Sequence, residues 1–327
     1  MSAKSAIRAA GFLIFCFAGL FLASRALTGE RQAPVETRCS GKRFEVTAVS
    51  GGTSPYVELS VGRRKGFFLL DYGTTESSLA GDFYQAGGSD SADIRIEKIS
   101  LPSFSSGRFR ISKYGLAATP PGGQLGIIGT DFLSLLTADF SFRHDRRDVA
   151  LSALPCDREV LRARGLVPVR QKGFFSGDLR KVDVVMPNVP VLFVNIGGVF
   201  SAAQIDTGYD DRVMPPSIDI NDALYGELVA AGIALRRKGT SSLVTCHGVV
   251  TNDVYAVVHA EISLRTEDDR EIRPLAGAAL IRKKANGCGG IADMASPMAQ
   301  LGMSVVAGLG SVVFDPAREL VWVGGRP

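Results

Sequence analysis

Apolar and polar positions alternate over much of the chain, and this pattern predicts a mainly β protein. Residues 55–61 alternate, a polar turn with glycine follows, and residues 66–70 form an apolar run. The same arrangement returns at residues 190–196, a Gly-Gly turn and residues 199–205. Because successive side chains of a strand point to opposite faces, each arrangement predicts a β-hairpin.

Each predicted hairpin ends in an aspartate that is followed two residues later by glycine. The first sequence is Leu70-Asp71-Tyr72-Gly73-Thr74, and the second is Ile205-Asp206-Thr207-Gly208. Burying an aspartate at the end of an apolar strand is costly unless its carboxylate is hydrogen-bonded or paired. Glycine allows a backbone turn that other residues resist. The two sequences therefore predict two carboxylates, each presented at the mouth of a tight turn.

A second pair of similar segments lies downstream of the aspartates. In the first half, residues 125–133 (LGIIGTDFL) precede a strand–turn–strand pattern at residues 142–151. In the second half, residues 305–310 (VVAGLG) precede the same pattern at residues 314–323. Two motifs that recur in the same order indicate an internal duplication.

The duplication divides the chain into two halves, at residues 42–156 and 185–327. Residues 157–184 mix arginine, lysine, aspartate and glycine with scattered apolar residues. They are interpreted as the connection between the halves, part of which is available for strand pairing. The chain is long enough for two such domains and their cores.

Short helices interrupt the β pattern at two places. Residues 78–86, which end before Gly-Gly, predict the first helix, and residues 221–231 predict the second. Asn221 suits the N-cap of the second helix, and Gly232 suits its stop. A further hairpin is predicted beyond it, with its tip near His247-Gly248.

Residues 1–27 differ from the rest of the chain. Lys4 and Arg8 precede an apolar run from Ala9 to Ala23, which predicts a signal peptide or a signal-anchor with its basic end in the cytoplasm. The run is shorter than the roughly 17–25 residues of a typical spanning helix. No A-x-A cleavage site follows it, so cleavage and anchoring both stay open. Residues 28–41 are interpreted as a juxtamembrane linker.

Four cysteines lie beyond this segment, at Cys39, Cys156, Cys246 and Cys288. An even number in an exported chain favours disulfides, with three connectivities open. Cys39 precedes the first half and Cys156 follows its last strand, so a bond between them would join the ends of that half. Cys246 and Cys288 both lie in the second half. Free buried thiols are the alternative, and the spacing fits no zinc site.

The repeated pattern resembles the aspartic proteases of the pepsin and retropepsin group. The elements that carry the resemblance are apolar-apolar-Asp-Thr-Gly, a later apolar-apolar-Gly, and Phe-Asp followed by Val-x-Val in the last strands. Residues 127–133 are similar to the strand and helix entry of retropepsin monomers. The resemblance covers residues 42–155 and 185–325. It implies a bilobal aspartic-protease fold, a duplicated retropepsin-like β-barrel with few short helices.

The resemblance implies that Asp71 and Asp206 form a catalytic pair. Two carboxylates so close cannot both ionise, so one holds a proton while the other acts as a base. Gly73 and Gly208 would form the turns that bring them together. Which aspartate is the base stays open at this point.

Side chains beside the aspartates both follow and depart from the family pattern. The residue after Asp in the family is Thr or Ser, whose hydroxyl joins the two lobes; Thr207 matches and Tyr72 does not. The residue after Gly usually bonds the carboxylate through a hydroxyl; Thr74 matches and Tyr209 does not. Asp131 is interpreted as a structural residue at a helix start.

In retropepsin-like proteins the flap over substrate lies at about this distance after the aspartate. The resemblance therefore implies a flap in the predicted hairpin of the second half, with Cys246, His247 and Gly248 at its tip. Pepsins carry the prominent flap on the first lobe, so this assignment departs from them.

The resemblance therefore implies an aspartic endopeptidase that cleaves polypeptides without metal or organic cofactor, and residues 1–27 predict that it is exported. The alternative is an inactive protein of the same fold that binds peptides or regulates. The expected location is a bacterial inner membrane facing the periplasm, or the periplasm itself after cleavage of residues 1–27. Both aspartate turns belong to one chain, which predicts a monomer. A net charge of +4, with dispersed basic residues, indicates solvated surface and no nucleic-acid partner.

Overall fold

The computed structural model describes the chain over residues 39, 41–47, 53–61, 64–80, 91–94, 107–112, 124–143, 146–169, 171–172, 189–209, 217–245, 248–272, 280–283 and 290–324. Arg38–Pro327 form one compact unit. Over the described ranges the chain is mainly β with short helices, as the alternating pattern predicts. The predicted signal segment at residues 1–27 lies outside these ranges. Within them, no helix has the length and apolar character required to cross a membrane.

Within the described residues, twelve strands lie between Lys42 and Ile196, and their bounds follow in chain order. They are β1 (Lys42–Glu45), β2 (Tyr56–Val61), β3 (Arg64–Leu70), β4 (Ser78–Ala80), β5 (Ser91–Ile94), β6 (Gly107–Ser112), β7 (Gln124–Ile128), β8 (Thr137–Arg143), β9 (Arg146–Ser152), β10 (Leu166–Val169), β11 (Gln171–Lys172) and β12 (Val191–Ile196).

Ten further strands of the described residues lie between Val199 and Gly324. They are β13 (Val199–Ile205), β14 (Ser217–Ile220), β15 (Ala234–Thr245), β16 (Gly248–Val258), β17 (Ile262–Arg265), β18 (Glu271–Ile272), β19 (Leu280–Lys283), β20 (Met298–Leu301), β21 (Ser311–Asp315) and β22 (Leu320–Gly324). The α-helices are α1 (Thr130–Leu133), α2 (Arg158–Ala163), α3 (Asp222–Ala230) and α4 (Met303–Val306), and short 3₁₀ turns lie at Gly290–Asp293, Ala307–Leu309 and Pro316–Arg318.

The strands of the described residues form three sheets, and two of these sheets repeat one arrangement of strands. The sheet of the first half has the order β2-β3-β7-β4-β6-β5, and the sheet of the second half contains the order β19-β14-β20-β13-β12. In both, the strand that ends in aspartate runs parallel to a later strand, so that Leu70 pairs with Ile128 and Ile205 pairs with Leu301. The topology therefore shows the duplication that the repeated motifs predict.

One of the motif pairings is wrong. The segment that repeats residues 125–133 is Met298–Leu301 with Gly302 and α4, because β20 and α4 occupy the positions of β7 and α1. Residues 305–310 instead lie in α4 and the turn that follows it. Apolar residues next to glycine occur both at residues 305–310 and at residues 298–302. The second segment is hard to recognise as the repeat because it has the polar Gln300 where the first half has Ile127.

The third sheet joins the two halves of the chain. Its order is β1-β9-β8-β21-β22-β10, so the hairpin of β8 and β9 from the first half pairs with the C-terminal hairpin of β21 and β22. The pairing of Phe314 with Ala138 lies at this junction. The strand β10, from the predicted connection, completes the sheet beside β22. Residues from both halves therefore share one core. Trp322 is fully buried in a smaller apolar cluster beside Cys39 and Cys156.

The predicted disulfide between Cys39 and Cys156 is confirmed, with an S–S distance of 2.10 Å. The bond spans the first half, since the two cysteines are separated by 117 positions. Both half-cystines are buried beside Trp322 and Leu161. The other two cysteines, Cys246 and Cys288, lie outside the described residues.

The predictions of local structure succeed for the second half and fail for one segment of the first. α3 has Asn221 as its N-cap, whose side-chain oxygen accepts a hydrogen bond from the N–H of Leu224 at 3.0 Å, and Gly232 follows with φ of +74°. The helix predicted at residues 78–86 is wrong over Ser78–Ala80, which form β4 between β7 and β6. Pairing on both sides outweighs a weak helical pattern there; residues 81–86 lie outside the description.

The predicted hairpin of the second half is formed by β15 and β16, which are paired from Ala234–Val258 to Thr245–Gly248. Its tip residues Cys246 and His247 lie outside the described residues. The exposed side chain of Val249 lies next to the tip. Within the predicted connection, β10 pairs with β22 and β11 pairs with β12.

Candidate active site

Asp71 and Asp206 lie together, each at the end of a central strand. The Asp71 N–H donates to the carbonyl oxygen of Ile128 at 2.9 Å, and the Asp206 N–H donates to that of Leu301 at 3.0 Å. These bonds extend the parallel pairing of β3 with β7 and of β13 with β20 by one residue. The two aspartates therefore occupy equivalent positions at the ends of their sheets, with equivalent backbone hydrogen bonds.

The residue after each glycine anchors the turn to a helix. The carbonyl oxygen of Thr74 accepts from the N–H of Thr130 at 2.9 Å, at the start of α1. The carbonyl oxygen of Tyr209 accepts from the N–H of Met303 at 2.8 Å, at the start of α4. The two turns are thus held at both ends by the same pattern of backbone bonds.

Gly73 and Gly208 bring the carboxyl groups against the opposite turn. The Gly73 N–H donates to Asp71 Oδ1 at 2.7 Å. The Gly208 N–H donates to Oδ1 of both aspartates, at 3.0 Å for Asp206 and 3.2 Å for Asp71. A Cβ added at Gly73 would collide with the Asp206 carboxyl group, and one at Gly208 with that of Asp71. Glycine is required at both positions because the opposing carboxyl group occupies the space of a side chain.

The environment of Asp71 favours its protonated form. Burial, followed by the negative charge of Asp206, raises the pKa of Asp71 from 3.8 to about 8, although the amides of Gly73 and Gly208 act in the opposite direction. A hydrogen bond between the two carboxyl groups adds to the increase. One carboxylic acid beside one carboxylate is the expected form of such a pair at neutral pH.

Thr207 joins the two turns through its hydroxyl group. Its Oγ1 donates to the carbonyl oxygen of Leu70 at 2.7 Å and accepts from the N–H of Tyr72 at 2.9 Å. The side chain is fully buried, so both bonds are shielded from water.

Thr207→Val is expected to lower the free energy of unfolding by about 1–3 kcal/mol, because it leaves two buried backbone groups without this partner. Urea denaturation followed by circular dichroism measures the change. Thr207→Ser is the control, since it keeps the hydroxyl group and should retain most of the stability. Equal losses for the valine and serine variants would contradict a role for the hydroxyl.

The ring of Tyr72, which occupies the equivalent position in the other turn, fills the shared core. The ring stacks on Phe314 with centroids 3.8 Å apart and meets Phe140 edge-on at 6.3 Å. Phe314 and Phe140 belong to the third sheet, so Tyr72 connects the first aspartate turn to the junction of the two halves. The Tyr side chain that departs from the family pattern has a packing role here.

The hydroxyl group of Thr74 differs from the prediction, whereas Asp131 agrees with it. Its hydroxyl donates to the carbonyl oxygen of Glu76 at 3.5 Å, and among the described residues it makes no bond to Asp71. Asp131 accepts from the N–H and the hydroxyl of Ser77 at 2.9 and 2.6 Å. This agrees with its interpretation as a structural residue at the start of α1, although burial raises its pKa.

Two glutamines that the sequence did not single out lie beside Asp206. Gln204 and Gln300 are register partners on β13 and β20, and both are buried. Gln300 Nε2 donates to Asp206 Oδ2, whereas Gln204 Nε2 donates to the carbonyl oxygen of Gly73 at 3.2 Å. No sequence motif marks them, because they become neighbours only when the two strands pair.

A buried ion pair lies on the far side of Gln300, and the sequence did not indicate it either. Arg282 on β19 is the register partner of Asp219 on β14, with 2.6 Å between Nη2 and Oδ1. Both side chains are almost completely buried, and burial lowers the pKa of Arg282 to about 10. Its guanidinium lies 4.9 Å from the ring centre of Tyr209. Tyr209 therefore contacts a cation at the place where the family has a hydroxyl residue.

Within the described ranges, no three side chains of histidine, cysteine, aspartate or glutamate lie close enough to hold a metal ion together. The groups available for chemistry around the two turns are the paired carboxyls and the amide donors that surround them. Such a pair can take a proton from water with its carboxylate and donate a proton from its carboxylic acid.

No protein-family model matches this sequence, and no curated protein matches it. The geometry of the site is therefore the basis for assigning a function.

Proposed function

We propose that this protein is an aspartic endopeptidase with a bilobal, pepsin-like or retropepsin-like fold, in which Asp71 and Asp206 activate water to hydrolyse peptide bonds. The observation that carries the proposal is the Gly208 amide, which donates to Oδ1 of Asp206 at 3.0 Å and of Asp71 at 3.2 Å. Because this one amide donates to an oxygen of each aspartate, the two carboxyl groups lie side by side. A turn residue that only stabilised its own backbone would not require a second carboxyl group beside it.

The proposed reaction uses one protonated and one ionised carboxyl group. Asp206 takes a proton from water as the water oxygen bonds to the peptide carbonyl carbon, and Asp71 gives its proton to the carbonyl oxygen. The product is a tetrahedral diol. When it breaks down, Asp206 passes its proton to the leaving nitrogen, the C–N bond breaks, and Asp71 regains a proton from a hydroxyl group. The pKa of about 8 for Asp71 supports its role as the acid.

The repeated strand arrangement supports the bilobal fold, and the paired hairpin of β15 and β16 supports a flap on the second lobe. The disulfide between Cys39 and Cys156 suits an oxidising compartment such as the periplasm. We propose that residues 1–27 tether the chain to the inner membrane or direct its export. The substrate is then an extended polypeptide, bound by a monomer.

A peptide-binding protein without activity is the second candidate, and a specific observation favours it. The hydroxyl of Thr74 bonds to a carbonyl oxygen of its own turn rather than to Asp71, and Tyr72 is committed to the core. The hydroxyl of Thr207 joins the two turns, as the family pattern implies for that position. A site so altered could bind peptides without cleaving them.

Incubation of the purified full-length protein with a mixed peptide library from pH 4 to 9 separates the two candidates. New peptide termini are identified by mass spectrometry, and a chain with both aspartates replaced by asparagine provides the background. Cleavage by the wild type alone supports the endopeptidase. If the folded wild type produces no new termini at any pH, the endopeptidase proposal fails, and retention of library peptides by the protein would then support binding.

A further inference from the structure

The two aspartates share one hydrogen-bond donor, the Gly208 amide, and differ in the second donor. Asp71 accepts from the backbone amides of Gly73 and Gly208, both at Oδ1. Asp206 accepts from the Gly208 amide at Oδ1 and from the side chain of Gln300 at Oδ2. Asp206 therefore has a side-chain donor at Oδ2, the oxygen that does not accept from the Gly208 amide.

The donor is fixed by the sheet on both sides. Gln300 lies within β20, where it is the register partner of Gln204 on β13 and of Asp219 on β14. Its side chain is 4% exposed, so neighbouring strands and not solvent determine its position. The corresponding register pair of the first half is Leu69 with Ile127. An apolar residue there offers no donor to Asp71, so the asymmetry is built into the two halves.

We propose that Gln300 is a positioning residue that holds Asp206 as the ionised member of the pair. A donated N–H stabilises a carboxylate more than a carboxylic acid, because only the charged form gains the full electrostatic benefit. The proton shared by the pair then stays on Asp71. This inference rests on the proposed function and deepens it, since it explains why the base of the reaction is Asp206.

Other charged or titratable groups also surround Asp206. Asp71 faces Asp206 from the first turn. When Asp71 is ionised, its negative charge favours protonation of Asp206. Tyr209 follows in the same turn, next to the guanidinium of Arg282. Asp219 and Arg282 on β14 and β19 are paired with each other, so their charges largely cancel at a distance. Gln300, by contrast, is a neutral side-chain donor that bonds the carboxyl group of Asp206 directly.

The test compares Gln300→Leu with Gln204→Leu in the full-length chain. Both positions are buried on adjacent strands, and the first half carries apolar residues at both, so each leucine has a precedent in this fold. Only Gln300 bonds to a carboxylate. In the pH profile of kcat/KM, Gln300→Leu should move the acid limb upward by about one pH unit. The alkaline limb, set by Asp71, should stay in place, and Gln204→Leu should move neither limb.

A second measurement remains informative if the wild type cleaves nothing. Carboxyl carbons of ¹³C-labelled aspartate are titrated by NMR, and Asp206 is assigned by comparison with Asp206→Asn. An upward shift of the Asp206 titration in Gln300→Leu, absent in Gln204→Leu, supports the proposal regardless of activity. If the Asp206 titration is unchanged in a folded Gln300→Leu variant, or if both leucine variants lower activity equally at every pH, Gln300 has only a packing role and the proposal is wrong.

Discussion

Asp71→Asn is expected to reduce peptide cleavage by roughly 1,000-fold or more, because asparagine cannot give a proton to the carbonyl oxygen in the transition state. The substitution keeps the size of the side chain, so the turn formed with Gly73 should persist. The measurement is kcat/KM on the best peptide from the library, with circular dichroism to show that the variant is folded. Activity within about tenfold of the wild type would contradict a role for Asp71 as the proton donor.

The same substitution should change how stability depends on pH. In the folded chain, burial and the charge of Asp206 raise the pKa of Asp71 from 3.8 to about 8. Between those values the folded chain binds more protons than the unfolded chain, so the free energy of unfolding falls as pH rises. This contribution is complete below about pH 4 and lost above about pH 8. Asparagine at position 71 is neutral at every pH, so the variant avoids the cost of burying this carboxylate and should be more stable than the wild type at pH 8 by on the order of a few kcal/mol.

Urea denaturation at pH 4, 6 and 8 measures this difference. Asp206→Asn is the matched control: it should also lose cleavage, but its stability should still fall between pH 4 and 8, because Asp71 remains buried. A wild type whose stability stays constant over this range would show that Asp71 does not hold the proton in the folded chain.

The sequence predicted the aspartate turns because their signals are local. Asp71 and Asp206 each follow an apolar strand and precede a glycine, and the same context occurs twice. Thr207 could also be assigned a role, since it directly follows an aspartate. These predictions need only a few neighbouring residues, which the sequence contains. The pairing of Cys39 with Cys156 was one of several connectivities, favoured by their places at the two ends of the first half.

The residues that the sequence did not indicate depend on strand pairing. Gln300 is separated from Asp206 by 94 positions, and Arg282 from Asp219 by 63. Gln300 is the single polar residue of β20, whereas Arg282 follows two apolar residues in β19 and precedes Lys283. Neither pattern reveals the partner of the polar residue. Tyr72 was identified as a departure from the family pattern, but its stacking on Phe314 depends on a strand near the C-terminus. Tertiary contacts, rather than local preferences, decide the roles of these residues.

Arg282→Met is expected to lower the free energy of unfolding by about 3–5 kcal/mol, because it leaves the carboxylate of Asp219 buried without its cation. The Arg282 side chain is 0% exposed and that of Asp219 is 2% exposed, so water cannot replace the lost partner. Urea denaturation at neutral pH measures the cost. Arg237→Met is the matched control: its pair with Asp253 has the same 2.6 Å distance, but the side chains are 60% and 39% exposed. That variant should lose far less.

A double substitution tests whether the cost comes from the unpaired charge. Arg282→Met combined with Asp219→Leu removes both charges, and it should recover much of the stability lost in Arg282→Met alone, as replacement of buried ion pairs by apolar side chains often does. If the double variant is less stable than Arg282→Met, the loss arises from packing beside Tyr209 instead. Because Asp219 is also the register partner of Gln300, cleavage by the double variant reports on the site as well. Retained activity would show that Gln300 supports Asp206 without the ion pair beneath it.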